Sequence, residues 1–168
     1  MTKTPIGIMQ GRLSPPEDGR FQSFPRRSWR QEFPRAREAS LDYIEWIHAE
    51  YGAPRTQSSN QADLAEFDVL KRHYGIAARD LCGDWFMDLP LIRCTTVELA
   101  QREQHLHKLI PIAARMGANR IVLPLVDQPK ITTEDEKQVV IDVLQRALPI
   151  AQSHHVELHL EADFNPID

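Results

Sequence analysis

Cysteine is nearly missing from the 168-residue sequence: Cys82 and Cys94 stand alone, with no CxxC pair and no metal-finger spacing. A reduced, cytoplasmic setting is therefore expected rather than a disulfide framework. Long apolar runs are missing as well. None approaches the roughly 20 residues that span a bilayer, and Met1 to Pro5 lacks the apolar core of a signal peptide. Positive charge is in deficit, with 20 Lys and Arg against 24 Asp and Glu for a net charge of −4. This balance gives no whole-molecule attraction for nucleic acid or an anionic membrane, and neither is expected as a partner. No Ser or Cys stands in a recognisable nucleophile context.

What is present alternates. Short apolar runs at Ile6–Met9, Leu41–Ile47, Ile76–Cys82, Arg120–Val126 and Val156–Asp163 read as strands. Between them lie stretches of helical periodicity. Ser28 with Gln31, Thr95 with Glu98 and Thr133 with Glu136 have the capping-box pattern and predict helix starts. Pro34 predicts that the first helix is kinked or begins in two pieces, and Pro111 predicts a bend in the third. A helix over 62–74 ends at Gly75, and one over 95–117 ends at Gly117, glycine being the usual residue past a helix C-terminus.

The order is β-α four times and then one more strand, with a repeat of roughly 35–45 residues, which predicts a single α/β domain with a parallel sheet and right-handed crossovers. An open doubly wound sheet and part of a (β/α)8 TIM barrel both satisfy this order. Against the open sheet, the first strand runs into Gln10-Gly11-Arg12-Leu13-Ser14-Pro15, not a glycine-rich phosphate turn entering a helix.

Chemistry is expected at the carboxyl ends of parallel strands. In the last strand Val156, Leu158 and Leu160 alternate with Glu157, His159, Glu161 and Asp163. Glu161 is the leading candidate, because a hard divalent ion needs carboxylate oxygens and a strand end holds one rigidly. His159 lies one pleat deeper on the same face, where it could orient Glu161 or fill the interior. Glu45 is a carboxylate in an apolar strand and needs a partner, either a substrate hydroxyl or a structural Arg. His48 follows that strand at the mouth of the site. Trp85 could pack on the apolar face of a sugar ring or lid the core, and Gln10 and Arg12 could hold a hydroxyl or phosphate. Asp84 and Asp127 also follow strands. His105 and His107, two apart on a helix, diverge and do not form the i, i+4 chelate of a zinc helix.

Taken together, Met9 to Pro15, Ile44-Glu45-Trp46-Ile47, Asp84-Trp85-Phe86-Met87-Asp88 and His159-Leu160-Glu161-Ala162-Asp163 resemble the sugar phosphate isomerase/epimerase family, the xylose isomerase-like TIM barrels. The resemblance covers the chain as the first five of eight strands. It implies a divalent metal (Mn, Mg, Co or Zn) held by a Glu, an Asp, a His and a second Glu near the ends of strands five to eight. Glu161 matches the first Glu. It would be both ligand and acid/base, moving a proton on the carbon next to a carbonyl through an enediolate. Gln10, Arg12, Glu45, His48, Trp85 and His159 would line the sugar or sugar phosphate.

A full barrel takes about 250 residues, and strands six to eight with three of the four ligands are not in this sequence. The chain alone is therefore expected to be inactive. Self-association, or completion by a C-terminal half, is expected to cover its open edges. Two other functions fit less closely: a non-catalytic half-barrel that binds or assembles, and a zinc-dependent AP-endonuclease-like nuclease. The nuclease would need early His ligands and a basic face.

Overall fold

The predicted alternation becomes five parallel strands whose spatial order is their chain order. The structure is a computed structural model that describes residues 4–17, 19, 24–49 and 61–163, the side chains of 61–63 excepted. The elements are β1 (Gly7–Met9), α1 (Trp29–Glu38), β2 (Tyr43–Ile47), α2 (Gln61–Tyr74), β3 (Ala77–Cys82), α3 (Trp85–Asp88), α4 (Thr96–Met116), β4 (Arg120–Leu125), α5 (Glu134–Ser153) and β5 (Glu157–Ala162). All four strand pairs are parallel, in the order β1-β2-β3-β4-β5. An order without reversal has no switch point, so the sheet winds in one direction, as a barrel wall does. The one-turn helix α3 adds to the four predicted helices. A polar loop is expected from the sequence over 53–61 and a loop at Asn165-Pro166; Gln61 instead opens α2, and the remaining residues of both lie outside the described ones.

Alternation along the strands decides which face meets the helices. Ile44 and Trp46 of β2, Ala78 and Leu81 of β3 and Ile121 and Leu123 of β4 are buried with Phe33, Phe67, Leu106, Ile110 and Val143 of the helices. The centre of this layer is Trp46, whose ring lies 4.7 Å from Phe67, 5.7 Å from Phe24, 5.9 Å from Trp29 and 6.2 Å from Phe33. Burying side chains of this size contributes roughly 1.5–3 kcal/mol each. Gly7 serves the other face: a Cβ there would stand 2.2 Å from the Tyr43 ring, so its absence lets that ring lie across β1.

The helix ends show where local pattern and structure agree. Thr95 and Glu98 form a true capping box, and Gly117 closes α4 in the left-handed conformation, φ 87°. At α1 they differ. Ser28 gives no side-chain cap; its backbone N–H and its hydroxyl both donate to Glu17, at 3.0 and 2.8 Å. That carboxylate competes for the group a capping box would use. Pro34 sits inside one continuous helix α1, not between two pieces, and α4 likewise runs through Pro111.

β2 and β3 are joined irregularly. Ile44 pairs with Ala78 and Trp46 with Leu81, so β3 carries one more residue than β2 over that span. This is the signature of a β-bulge. It falls where Arg79 and Asp80 interrupt the apolar run. β5 lies at one edge of the sheet, and beside it Leu125, Ile131, Val140, Leu144, Leu160 and Ala162 line an apolar groove of about 520 Å³. Leu160, which alternates with the polar residues of that strand, is 46% exposed there.

Candidate functional site

The sheet face turned away from the helices carries the polar residues. Register places them in rows. Asp80, Arg120 and Glu157 are neighbours across β3, β4 and β5; above them run Ile47, Cys82, Val122 and His159; Glu161 stands higher again, beside Pro124. The lowest row is tied by an ion pair between Arg120 Nε and Asp80 Oδ1. Strand alternation puts Glu45 on the same face, and its surroundings agree. Burial raises the Glu45 carboxyl above its ordinary value, the charges of Asp80 and Glu161 raise it further, and Arg120 opposes them. The partner expected for Glu45 is thus nearby, as an Arg already engaged with Asp80.

The Cys82 thiol reports the same field. Burial pushes it up, and Asp84, Glu45 and Glu161 add to the shift. A buried thiol in a negative field is an inert one. Glu161 itself is exposed at the carboxyl end of β5. His159 does not turn to Glu161 or fill an interior: its Nε2 meets Glu157 Oε2 at 2.8 Å, with the His159 side chain 44% exposed.

The remaining candidates cluster at the ends of β1 and β2. Gln10 is buried; its backbone N–H donates to the Glu45 carbonyl at 2.9 Å, and its side-chain Oε1 accepts from the Ile47 backbone N–H at 3.1 Å. It joins two strand ends, so its carbonyl oxygen is already used. Arg12 is half-buried in the following loop. His48 is buried beside His105, Nε2 to Nε2 at 2.7 Å, and burial followed by the His105 charge lowers its pKa to about 3. Trp85 stacks on the His105 ring at 3.9 Å and 11°, which occupies one face of the indole. Asp127 follows β4 with φ 53°, a left-handed turn position that Asp tolerates.

His105 is the residue that sequence reasoning passed over. The i, i+4 test asks about partners on its own helix, and its partner His48 is 57 residues away. The metal implied by the resemblance finds one matching carboxylate. Among the described residues no three His, Cys, Asp or Glu side chains converge, so these residues alone do not make a divalent-metal centre.

Comparison with known proteins gives the fold its place. No family model and no curated protein matches the sequence. Several solved structures do match. An L-ribulose 3-epimerase superposes with a TM-score of 0.68 at 16% identity, over 94% of this chain and 49% of that one. D-Psicose 3-epimerase from Clostridium cellulolyticum H10, in complex with D-tagatose, gives 0.65 at 10% identity, over 92% and 51%. A xylose isomerase-like TIM barrel protein from Mycobacterium smegmatis, in complex with magnesium, gives 0.63 at 15%, over 93% and 54%. The chain therefore has the fold of part of a xylose isomerase-like TIM barrel and spans about half the length of the structures it matches. Among the described residues no helix is long and apolar enough to cross a membrane.

Proposed function

We propose that this chain is the N-terminal five-strand part of a divalent-metal-dependent sugar or sugar-phosphate isomerase or epimerase. The observation that carries the reading is the placement of Glu161. It stands at the carboxyl end of a parallel barrel strand, on the helix-free face, within electrostatic reach of Glu45. Catalytic groups in such barrels stand at that end of the sheet. An exposed carboxylate there can accept a proton from a carbon next to a carbonyl and return it. The similarity to two sugar 3-epimerases supports this class of chemistry, and the magnesium-bound relative supports a divalent ion.

Glu161 would supply one ligand, and further strands, on another chain or beyond this segment, would supply the rest. The chain alone is then inactive, and its open β5 edge and groove are seats for those strands or for a second copy. The test has two arms. The chain alone, given ketopentoses, ketohexoses and Mn²⁺, should convert none; turnover abolished by Glu161→Gln would overturn the need for completion. The protein purified from its native source at its natural length should convert such a sugar, lose activity to a chelator, and lose it again in Glu161→Gln. Inactivity of a protein of this same short length would favour a binding or assembly module.

A further inference from the structure

The rings of His48, just past β2, and His105, midway along α4, meet through Nε2 atoms 2.7 Å apart. Their centroids are 4.9 Å apart. The difference is close to two imidazole centre-to-nitrogen radii, so both nitrogens lie nearly on the line joining the ring centres. They point at each other. A chelated ion needs two lone pairs converging on a third point, with room for the ion between them. Head-on nitrogens at hydrogen-bond distance share one proton instead.

The other end of His48 decides which ring donates. His48 is 7% exposed, and its Nδ1 is buried with no hydrogen-bond partner among the described residues. A neutral imidazole has one N–H and one lone pair. If His105 donated, the His48 hydrogen would sit on Nδ1 as an orphaned buried N–H, which native proteins avoid more strictly than an unmet acceptor. If His48 donates, its hydrogen is on Nε2 and only a lone pair goes unmet. We infer that His48 and His105 form one unit with a fixed proton order, His48 Nε2–H donating to His105 Nε2, which latches the rim of the sheet to α4.

The latch is a closed circuit. The His48 amide donates to the Cys82 carbonyl at 2.9 Å, and the Trp85 amide donates to the His48 carbonyl at 2.7 Å. The Trp85 ring stacks on His105, and His105 returns to His48. The ends of β2 and β3 are thereby tied to α3 and α4, independently of any sugar chemistry.

Long-range nitrogen–proton NMR of the chain at neutral pH reads the tautomers directly. The expected result is hydrogen on Nε2 of His48 and on Nδ1 of His105; hydrogen on Nδ1 of His48 would overturn the proton order. Amide exchange reads the latch. His105→Leu should speed exchange at Trp85 by about tenfold or more while β4 amides hold. His105→Gln keeps a carbonyl that can accept from His48, and should stay within about threefold of the wild type. Unchanged Trp85 exchange in His105→Leu overturns the latch, and if that variant does not fold, the wild-type tautomers still decide. Stoichiometric Ni²⁺ or Zn²⁺ binding that is lost in His105→Gln would place an ion where the inference places a proton, and would overturn it too.

Discussion

Both carboxylate oxygens of Glu32 meet the backbone N–H of Gly11, at 2.9 and 3.1 Å. Glu32 lies in α1 and is 1% exposed, directly behind the loop that carries Gln10 and Arg12. Burial raises its carboxyl above the ordinary value, while bonds from Gly11, Ser14 and Leu13 pull it back. One turn on, Arg35 donates to the Leu13 carbonyl at 2.7 Å. Helix α1 thus holds the β1–α1 loop at two points. Glu32→Ala should orphan the Gly11 amide and cost roughly 1–3 kcal/mol in urea unfolding. A negligible loss would mean that the loop holds itself.

The charge of Glu161 should be felt at the Glu45 carboxyl. Glu161→Gln removes one of the charges that raise Glu45, so carboxyl-carbon NMR should show the Glu45 titration moving down toward its ordinary 4.5. A raised folded-state pKa contributes stability below the unfolded value and loses it as pH rises through the folded one. Glu45→Gln should accordingly make the chain more stable at neutral pH. A Glu45 titration unmoved by Glu161→Gln would separate the two carboxylates.

Acid should act through His48. Its unfolded form takes up a proton near 6.5, while the folded form refuses one until about 3. The stability it contributes is full above 6.5 and falls as pH drops from there toward 3. The slope is at most about 1.4 kcal/mol per pH unit. Between pH 6.5 and 5 the wild type should therefore lose roughly 1–2 kcal/mol more than His48→Phe. Parallel losses in urea titrations of the two proteins would contradict this.

The apolar groove beside β5 predicts concentration-dependent association of the chain alone. Leu160→Glu puts a charge at its most exposed apolar wall. Sedimentation should show a shift toward monomer in the variant, with an unchanged circular dichroism spectrum. Equal masses for both proteins at every concentration would remove the groove as the cause.

Much of the wall was legible in the sequence because its signals are local. Thr95 with Glu98 and Gly117 delimit α4, and the apolar stretches 76–82 and 120–126 contain β3 and β4. What was not legible depends on distant residues. Ser28 loses its cap to Glu17, Gln10 turns inward to the Ile47 amide, and His105 finds His48 across 57 residues. In the last strand, alternation correctly separated Leu158 from Glu161. It could not tell how exposed either side would be, since that depends on what packs beyond β5.

The irregular pairing of β2 with β3 lets two demands coexist that a regular ladder would set against each other. Ala78 and Leu81, an odd number of steps apart, both serve the helix layer, while Asp80 reaches Arg120 on the opposite side. Three steps of regular alternation would turn Ala78 and Leu81 to opposite sides, and the extra residue of the bulge brings them back to one. Removing Arg79 would leave Asp80 alone between them, a spacing that a regular ladder one residue shorter accepts with the greasy column and the ionic tie both in phase. The strand therefore has slack at that one point, whereas a deletion where Leu81 and Cys82 pair with β4 would turn one set of side chains to the wrong side.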